Sequence, residues 1–219
     1  MSRALRLCVA ALLASVALSR QAHAQTPPPE ASRFYVEAVA QSAFSHVVSQ
    51  SYGAEAGARL FRSVQLFVEA GRVRDAATAQ FGSSAVLIAG FLSRNQSNVT
   101  FQAKEPIAFG VAGLRYPWTA YGPLEPYVLA GAGVARVKKD LTFALSGTEV
   151  SGNLEQYGVV LGSDLSGTET DAMFTLGGGV TWAAWRQMVI DFQYRYGRVL
   201  AADEPISVNR AGLGLGVRF

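Results

Sequence analysis

The chain has very few of the residues that disulfide-stapled domains and most hydrolases depend on. Its 219 residues include one cysteine, Cys8, and two histidines, His23 and His46. That excludes a disulfide framework and any Cys/His/Asp cluster at metal-ligand spacing. No apolar run approaches the roughly 20 residues that a spanning helix needs; the longest, "LCVAALLASVAL" from Leu7, is about twelve. Both "GAGVAR" and "GLGLGVR" lack the third glycine and the following helix of a dinucleotide site, so no cofactor is expected. Charge is sparse as well, at 16% of residues with a formal net of +3. That excess is Arg3, Arg6 and Arg20, and residues 25–219 carry 16 basic and 16 acidic side chains. The basic balance therefore gives no reason to expect a nucleic-acid partner.

What the N-terminus does have is an address. Arg3 and Arg6 precede the apolar run, and Ala22, His23 and Ala24 follow it. A basic start, a short apolar core and a small-x-small end predict a cleaved secretory signal over residues 1–24. The alternative, a transmembrane anchor, is excluded by the length of the run. Cys8 lies at the start of the apolar run and not after it, where it cannot mark a lipid-attachment site. Residues 25–32, with "TPPPEAS", read as a Pro-rich spacer, leaving residues 33–219 as one domain.

Alternation with a period of two then recurs along the chain. In "QMVIDFQYRYGR", Met188, Ile190, Phe192, Tyr194 and Tyr196 share one face, and Val189, Asp191, Gln193, Arg195 and Gly197 the other. Tyr52, Ala54, Ala56, Ala58 and Leu60 oppose Gly53, Glu55, Gly57 and Arg59, and Leu66, Val68 and Ala70 oppose Gln65, Glu69 and Gly71. Phe34, Val36, Ala38 and Ala40 oppose Glu37 and Gln41; Phe174, Leu176, Val180 and Trp182 oppose Thr175, Gly177, Gly179 and Thr181. The terminal "RAGLGLGVRF" sets Leu213, Leu215, Val217 and Phe219 against Arg210, glycines and Arg218. Two further segments, 107–116 and 126–137, alternate large with small residues, so their facing is ambiguous; a bulge near Gly113 would resolve the first. The total is eight strands of roughly 9 to 12 residues, the length that crosses a bilayer on a tilt.

Connection lengths sort by end. Arg62-Ser63 and 183–187 are tight, 117–125 is moderate, and about thirty residues after Arg74 and about thirty-five after Lys138 all lie at the opposite end from the tight turns. Short periplasmic turns, long extracellular loops and an even strand number describe a transmembrane barrel. In hydrocarbon an open sheet edge would leave backbone groups unpaired, so the fold class expected is all-β, an eight-stranded antiparallel up-and-down transmembrane β-barrel. Its polar faces line a lumen just wide enough to be filled by side chains. Glu37, Glu55, Glu69 and Asp191 there meet Arg59, Arg195, Arg210 and Arg218 as a paired plug.

With "GLRY" at 113–116, "PYVLAGAGVARV", "FVEAGRVRD" at 67–75 and the terminal "GLGVRF", the chain resembles the small outer-membrane β-barrel proteins of Gram-negative bacteria, the OmpA-like group. The resemblance implies location in the outer membrane, lipid as surroundings, and a last strand whose Leu215, Val217 and Phe219 are read by the barrel-assembly machinery. The wall-tethering role of the larger relatives is not expected, because no peptidoglycan-binding segment follows Phe219.

The remaining candidates are weak. His46, in the first short loop with Ser45 and Ser49, suggests a lipid A-modifying hydrolase, but neighbours on a loop do not make a triad; no catalytic residue is assigned. Asp164, Glu169 and Asp171 in a Gly/Ser/Thr-rich loop suggest a cation site, against the plainer reading of a solvated loop, and no metal is assigned. "SSAVLIAGFLSRN" (83–95) is too apolar for a free loop. The spacing of Phe81, Ala85, Ile88 and Leu92 favours a short helix, capped by Ser83 or Ser84, over a strand prolonging the hairpin. Tyr116, Trp118, Tyr121, Tyr127, Trp182 and Trp185 at strand ends fit an interfacial aromatic girdle. The function expected is structural or surface-interactive, by a monomer with an unidentified extracellular ligand; a narrow solute pore and the hydrolase are the alternatives.

Overall fold

The alternation becomes a closed wall. The computed structural model describes residues 33–219 apart from 62–63, 95, 119, 152–153, 155–156, 160–161, 163–164 and 203. The signal and spacer expected over 1–32, and Asp164, lie outside the described residues. Strands β1 (Phe34–Phe44), β2 (Val48–Phe61), β3 (Val64–Val73), β5 (Ile107–Pro117), β6 (Leu124–Leu145), β8 (Gly167–Trp185), β9 (Met188–Val199) and β10 (Ile206–Arg218) pair in that order, all antiparallel. The ring closes where β10 meets β1, from Tyr35↔Arg218 to Phe44↔Asn209. Phe219 completes the seam: its N–H donates to the Phe34 carbonyl at 3.0 Å and its carbonyl accepts from Phe34 at 2.9 Å. With every ring strand paired on both sides, the ring itself has no edge to template another chain.

Facing follows sequence parity. On β1 the outward Phe34, Val36, Ala38, Ala40 and Ser42 alternate with buried Tyr35, Glu37, Val39, Gln41 and Ala43. The ambiguous segments obey the same rule without a bulge: pairing runs unbroken from Gln65↔Arg115 to Val73↔Ile107 and from Ile107↔Val137 to Pro117↔Tyr127. The bulge expected near Gly113 is therefore absent. Ile107, Phe109, Val111 and Arg115 point inward, and Ala108, Ala112, Leu114 and Tyr116 outward.

Four of the ring strands outrun the expected length, β2 and β10 by one or two residues and β6 and β8 by far more. At 22 and 19 residues, β6 and β8 continue beyond the wall where a loop was expected after Lys138. The upper part of β6 pairs with β4 (Val99–Lys104) on one side and with β7 (Thr148–Ser151) on the other. Past the wall, burial is no longer set by the lumen. Leu141, Phe143 and Leu145 instead face helix α1 (Ala79–Leu92), whose Phe81, Ala85, Ala89 and Leu92 are buried with them. Helical spacing thus decides the nature of 83–95, but the helix starts earlier than expected, and its N-cap is Thr78, whose hydroxyl accepts the Phe81 N–H at 3.2 Å, instead of Ser83 or Ser84. The Ser83 hydroxyl donates back to the Gln80 carbonyl at 2.9 Å.

Candidate functional site

Each ring strand contributes to one chain of side chains across the lumen. On β3, Glu69 accepts from Arg210 of β10 through both oxygens, at 2.7 and 3.3 Å, and from Arg195 of β9 at 3.0 Å. Arg195 reaches Glu55 of β2 at 2.5 Å. Glu55 also accepts from the Tyr35 hydroxyl of β1 at 2.6 Å and from Arg115 of β5 at 3.4 Å. The Arg115 guanidinium donates to Thr181 of β8 at 2.5 Å and lies 3.5 Å from the ring centroid of Tyr127 on β6. The Tyr127 hydroxyl then donates to Asp191 at 2.6 Å, and Thr181 donates to the other Asp191 oxygen at 3.2 Å. Charge-assisted hydrogen bonds of this kind are the strong ones, more so where water is excluded.

Glycines make room for it. A Cβ on Gly57 would sit 2.2 Å from the Tyr35 ring, and one on Gly179 would sit 2.7 Å from the Tyr127 hydroxyl. A side chain at either position would displace a tyrosine from its carboxylate.

The expected charge set is only part of this arrangement. Glu37, Glu55, Glu69, Asp191, Arg195 and Arg210 are all buried. Arg218 lies apart at the tight-turn mouth, paired with Glu125 at 2.7 Å and partly exposed. Arg59 is half-buried at the same end and, among the described residues, joins none of these ion pairs. Arg115 went unrecognised because its strand was ambiguous, yet it lies well inside the strand and away from the long-loop rim, and a charge there belongs in the lumen; that was the available signal. Tyr127 corrects the girdle: it is 2 % exposed and points into the lumen, because an inward phenol can bond Asp191 whereas its neighbours Pro126 and Val128 face away. Tyr116, Trp118, Tyr121, Trp182 and Trp185 are exposed at the tight-turn end, as is Phe219, which stacks on Phe34 at 6.1 Å.

Toward the long-loop end the lumen filling turns apolar. Val73, Ile107, Phe109, Val111, Ala135, Val137, Met173, Val199, Ile206 and Val208 form one buried cluster there. Arg210 joins the two halves, its guanidinium 4.3 Å from the Phe109 ring centroid. The lumen is therefore closed by charge pairs at one level and by apolar packing at the next.

A polar clasp ties the cap to the wall. Glu105, 3 % exposed, accepts the Thr78 N–H at 2.7 Å through its carboxylate, and its own N–H donates to Asp75 at 3.1 Å. Burial pushes the Glu105 carboxyl above the ordinary carboxylate range, an effect that the Thr78 N–H and Lys139 partly oppose. His46 is exposed, and the two serines beside it are engaged elsewhere: Ser45 donates to the Val47 carbonyl at 3.2 Å and Ser49 to the Asp75 carbonyl. No relay links His46 to either. Glu169 pairs with Lys139 at 3.2 Å, and no group of three metal-ligating side chains occurs among the described residues.

A closed, antiparallel eight-stranded wall with an apolar outer face and a side-chain-filled lumen defines a small transmembrane β-barrel. Residues 8–219 match the family model described as "Outer membrane protein beta-barrel domain", and the chain belongs to that family. It is a protein of the Gram-negative outer membrane. Among solved structures, Neisserial surface protein A is similar over 85% of this chain and 97% of its own, at 17% identity and a TM-score of 0.55. The N-terminal β-barrel domain of Pseudomonas aeruginosa OprF is 18% identical, covering 86% of this chain and 98% of its own, with a TM-score of 0.47. The first likeness shows the fold. No curated protein matches in sequence.

Proposed function

We propose that this barrel is a non-conducting outer-membrane scaffold that carries a folded cap at the cell surface for structural or surface-interactive work. The observation that carries the reading is the cap's own hydrophobic core, in which Phe81, Ala85 and Leu92 of α1 pack with Leu141, Phe143 and Leu145 of β6 above a lumen already filled. A pore would have no use for two successive closures, and a loop that only joined strands would not need an apolar core. Lipid surrounds the outer wall, and the aromatics at the tight-turn end serve as its periplasmic girdle. The assembly machinery reads the last strand through Leu215, Val217 and Phe219, and the barrel works as a monomer with a ligand on the cap.

The test is planar-bilayer recording on purified, heat-modifiable protein. Channel-free bilayers are expected for the full chain, and stepwise conductance from it would refute the scaffold reading. Replacing 79–92 by a short glycine–serine linker should leave barrel folding intact while abolishing whatever surface phenotype the intact gene confers.

A further inference from the structure

Glu37, Glu55 and Glu69 face the lumen side by side, directly opposite one another in the registers of β1, β2 and β3. Like charges set opposite each other across strands repel, and the arginines relieve only two of the three. Arg195 and Arg115 engage Glu55, Arg195 and Arg210 engage Glu69, and Arg115 approaches Asp191 at 3.9 Å. Glu37 makes no ion pair or hydrogen bond among the described residues, and its Oε1 is buried without a partner.

The Glu37 carboxyl instead leans across β10. A Cβ on Gly214 would sit 3.2 Å from it and 3.0 Å from Gln193 Nε2. Gly214 is also the register partner of Asp191 on β9. Two carboxylates and an amide, all buried, thus border one glycine, and any side chain there would push Glu37 and Gln193 away. Gln193 Oε1 accepts from Gln41 Nε2 at 3.3 Å, which leaves Gln193 Nε2 and Gln41 Oε1 unpartnered. Half a turn of both amides keeps that bond with donor and acceptor exchanged, and turns the Gln193 oxygen toward Gly214.

Carboxylate and amide oxygens are hard donors, the set that takes alkali and alkaline-earth ions. Charge selects the monovalent kind, because Arg115 already answers Asp191 and only Glu37 is left to balance. A buried carboxylate stays neutral unless a positive charge joins it. A shared proton would draw two oxygens to about 2.5–3.0 Å, and no such contact reaches Glu37. An ion gathers oxygens that do not touch one another.

We propose that the lumen seats one monovalent alkali cation beside Gly214, held by the carboxylates of Glu37 and Asp191 and by the Gln193 amide oxygen. The ion is structural and not in transit, because the apolar cluster that includes Val73, Phe109 and Val208 closes the lumen on the long-loop side. It lets Glu37 keep its charge beside Glu55.

The test is reversible urea unfolding of the wild-type barrel in phosphatidylcholine vesicles at pH 9, where protons compete least. Sodium and potassium chloride are compared with N-methylglucamine chloride, whose bulky cation cannot enter the lumen, at equal ionic strength. An ion that binds only the folded barrel raises the folding constant by 1 + [M+]/Kd, about fivefold at about four times the dissociation constant. That gain should vanish in E37Q and fall sharply in Q193M, whereas D140N, at the exposed long-loop rim, should retain it. Heat-modifiable gel mobility confirms the barrel in each variant, and Q193M carries the comparison if E37Q does not fold. Equal folding constants in the alkali and N-methylglucamine salts would overturn the seat. So would an undiminished gain in E37Q or Q193M, which would place the ion elsewhere. A wild type indifferent to alkali ions, yet stabilised by acid only while Glu37 is present, would give the position to a proton and overturn the cation as well.

Discussion

Glu69→Gln is the sharpest perturbation of the lumen. Its carboxylate, 1 % exposed, is the only carboxylate that Arg210 contacts among the described residues, whereas Arg195 keeps Glu55. The amide keeps the shape and removes the charge, leaving Arg210 buried with the Phe109 face as its main remaining contact. Orphaning one member of a buried ion pair costs ~3–5 kcal/mol. Glu37 provides the contrast: it is 2 % exposed, joins no ion pair among the described residues, and its Oε1 has no hydrogen-bond partner. Among the described lumen residues, four buried carboxylates, Glu37, Glu55, Glu69 and Asp191, face three buried arginines, Arg115, Arg195 and Arg210. Glu37→Gln replaces an unpaired carboxyl by an amide of the same shape and should change stability by about 1 kcal/mol or less, in either direction. Reversible urea unfolding in phosphatidylcholine vesicles separates the two, with Trp118, Trp182 and Trp185 as the fluorescent reporters. Glu69→Gln with Arg210→Met should recover most of the loss, because the uncompensated cation is then gone. Equal destabilisation by the two glutamine variants, or no recovery in the double variant, would show that charge pairing is not what fills the lumen.

Other outcomes follow from single contacts. Gly57→Ala should cost about 1–3 kcal/mol by expelling the Tyr35 ring, and much less in a Tyr35→Ala background; additive losses in the double-mutant cycle would disprove the steric link. Phe219→Ala removes one ring stack, worth about 0.5–1.5 kcal/mol in vitro. If Phe219 is also read during assembly, the amount of folded barrel in cells should fall further than that loss accounts for, and a fall no larger would remove the assembly role. The Glu105 carboxyl is raised in the folded cap. Its favourable contribution is therefore complete below the ordinary carboxylate range and is lost as pH climbs through the raised value. Hydrogen exchange of the α1 amides, corrected for intrinsic rate, should speed up as pH rises above the ordinary carboxylate range in the wild type and not in Glu105→Gln. Thr78, Lys139 and Glu204 are the other groups that act on this carboxyl.

The wall was readable wherever chemistry differed between its two faces, and unreadable where it did not. On β9 the charges of Asp191 and Arg195 mark the inside at once. On β5 and β6 the inner face above Arg115 is as apolar as the outer, so periodicity alone does not choose between them. Size chooses instead. On β5 the inward residues are Ile107, Phe109 and Val111, and the outward ones Ala108, Gly110 and Ala112. Lipid chains are fluid and close around a small side chain, whereas the interior of a closed eight-stranded ring is a fixed volume that must be filled to protein density. From Ile107 to Ala112 the larger residues therefore sit inside, whereas Leu114 and Val134 face lipid beside inward Gly113 and Gly133. The helix of the cap was legible, but its partner on β6 escaped for a related reason. Beyond the bilayer the alternation in β6 continues through Leu141, Phe143 and Leu145, but the surface they bury is a helix from another loop, and no period in one segment records its distant partner. The same logic separates the two classes of charge on this barrel. An inward arginine such as Arg210 needs a carboxylate from a strand far away in sequence. Outward Arg72 has none among the described residues, so its position at the long-loop end of β3, and not its pairing, makes it tolerable.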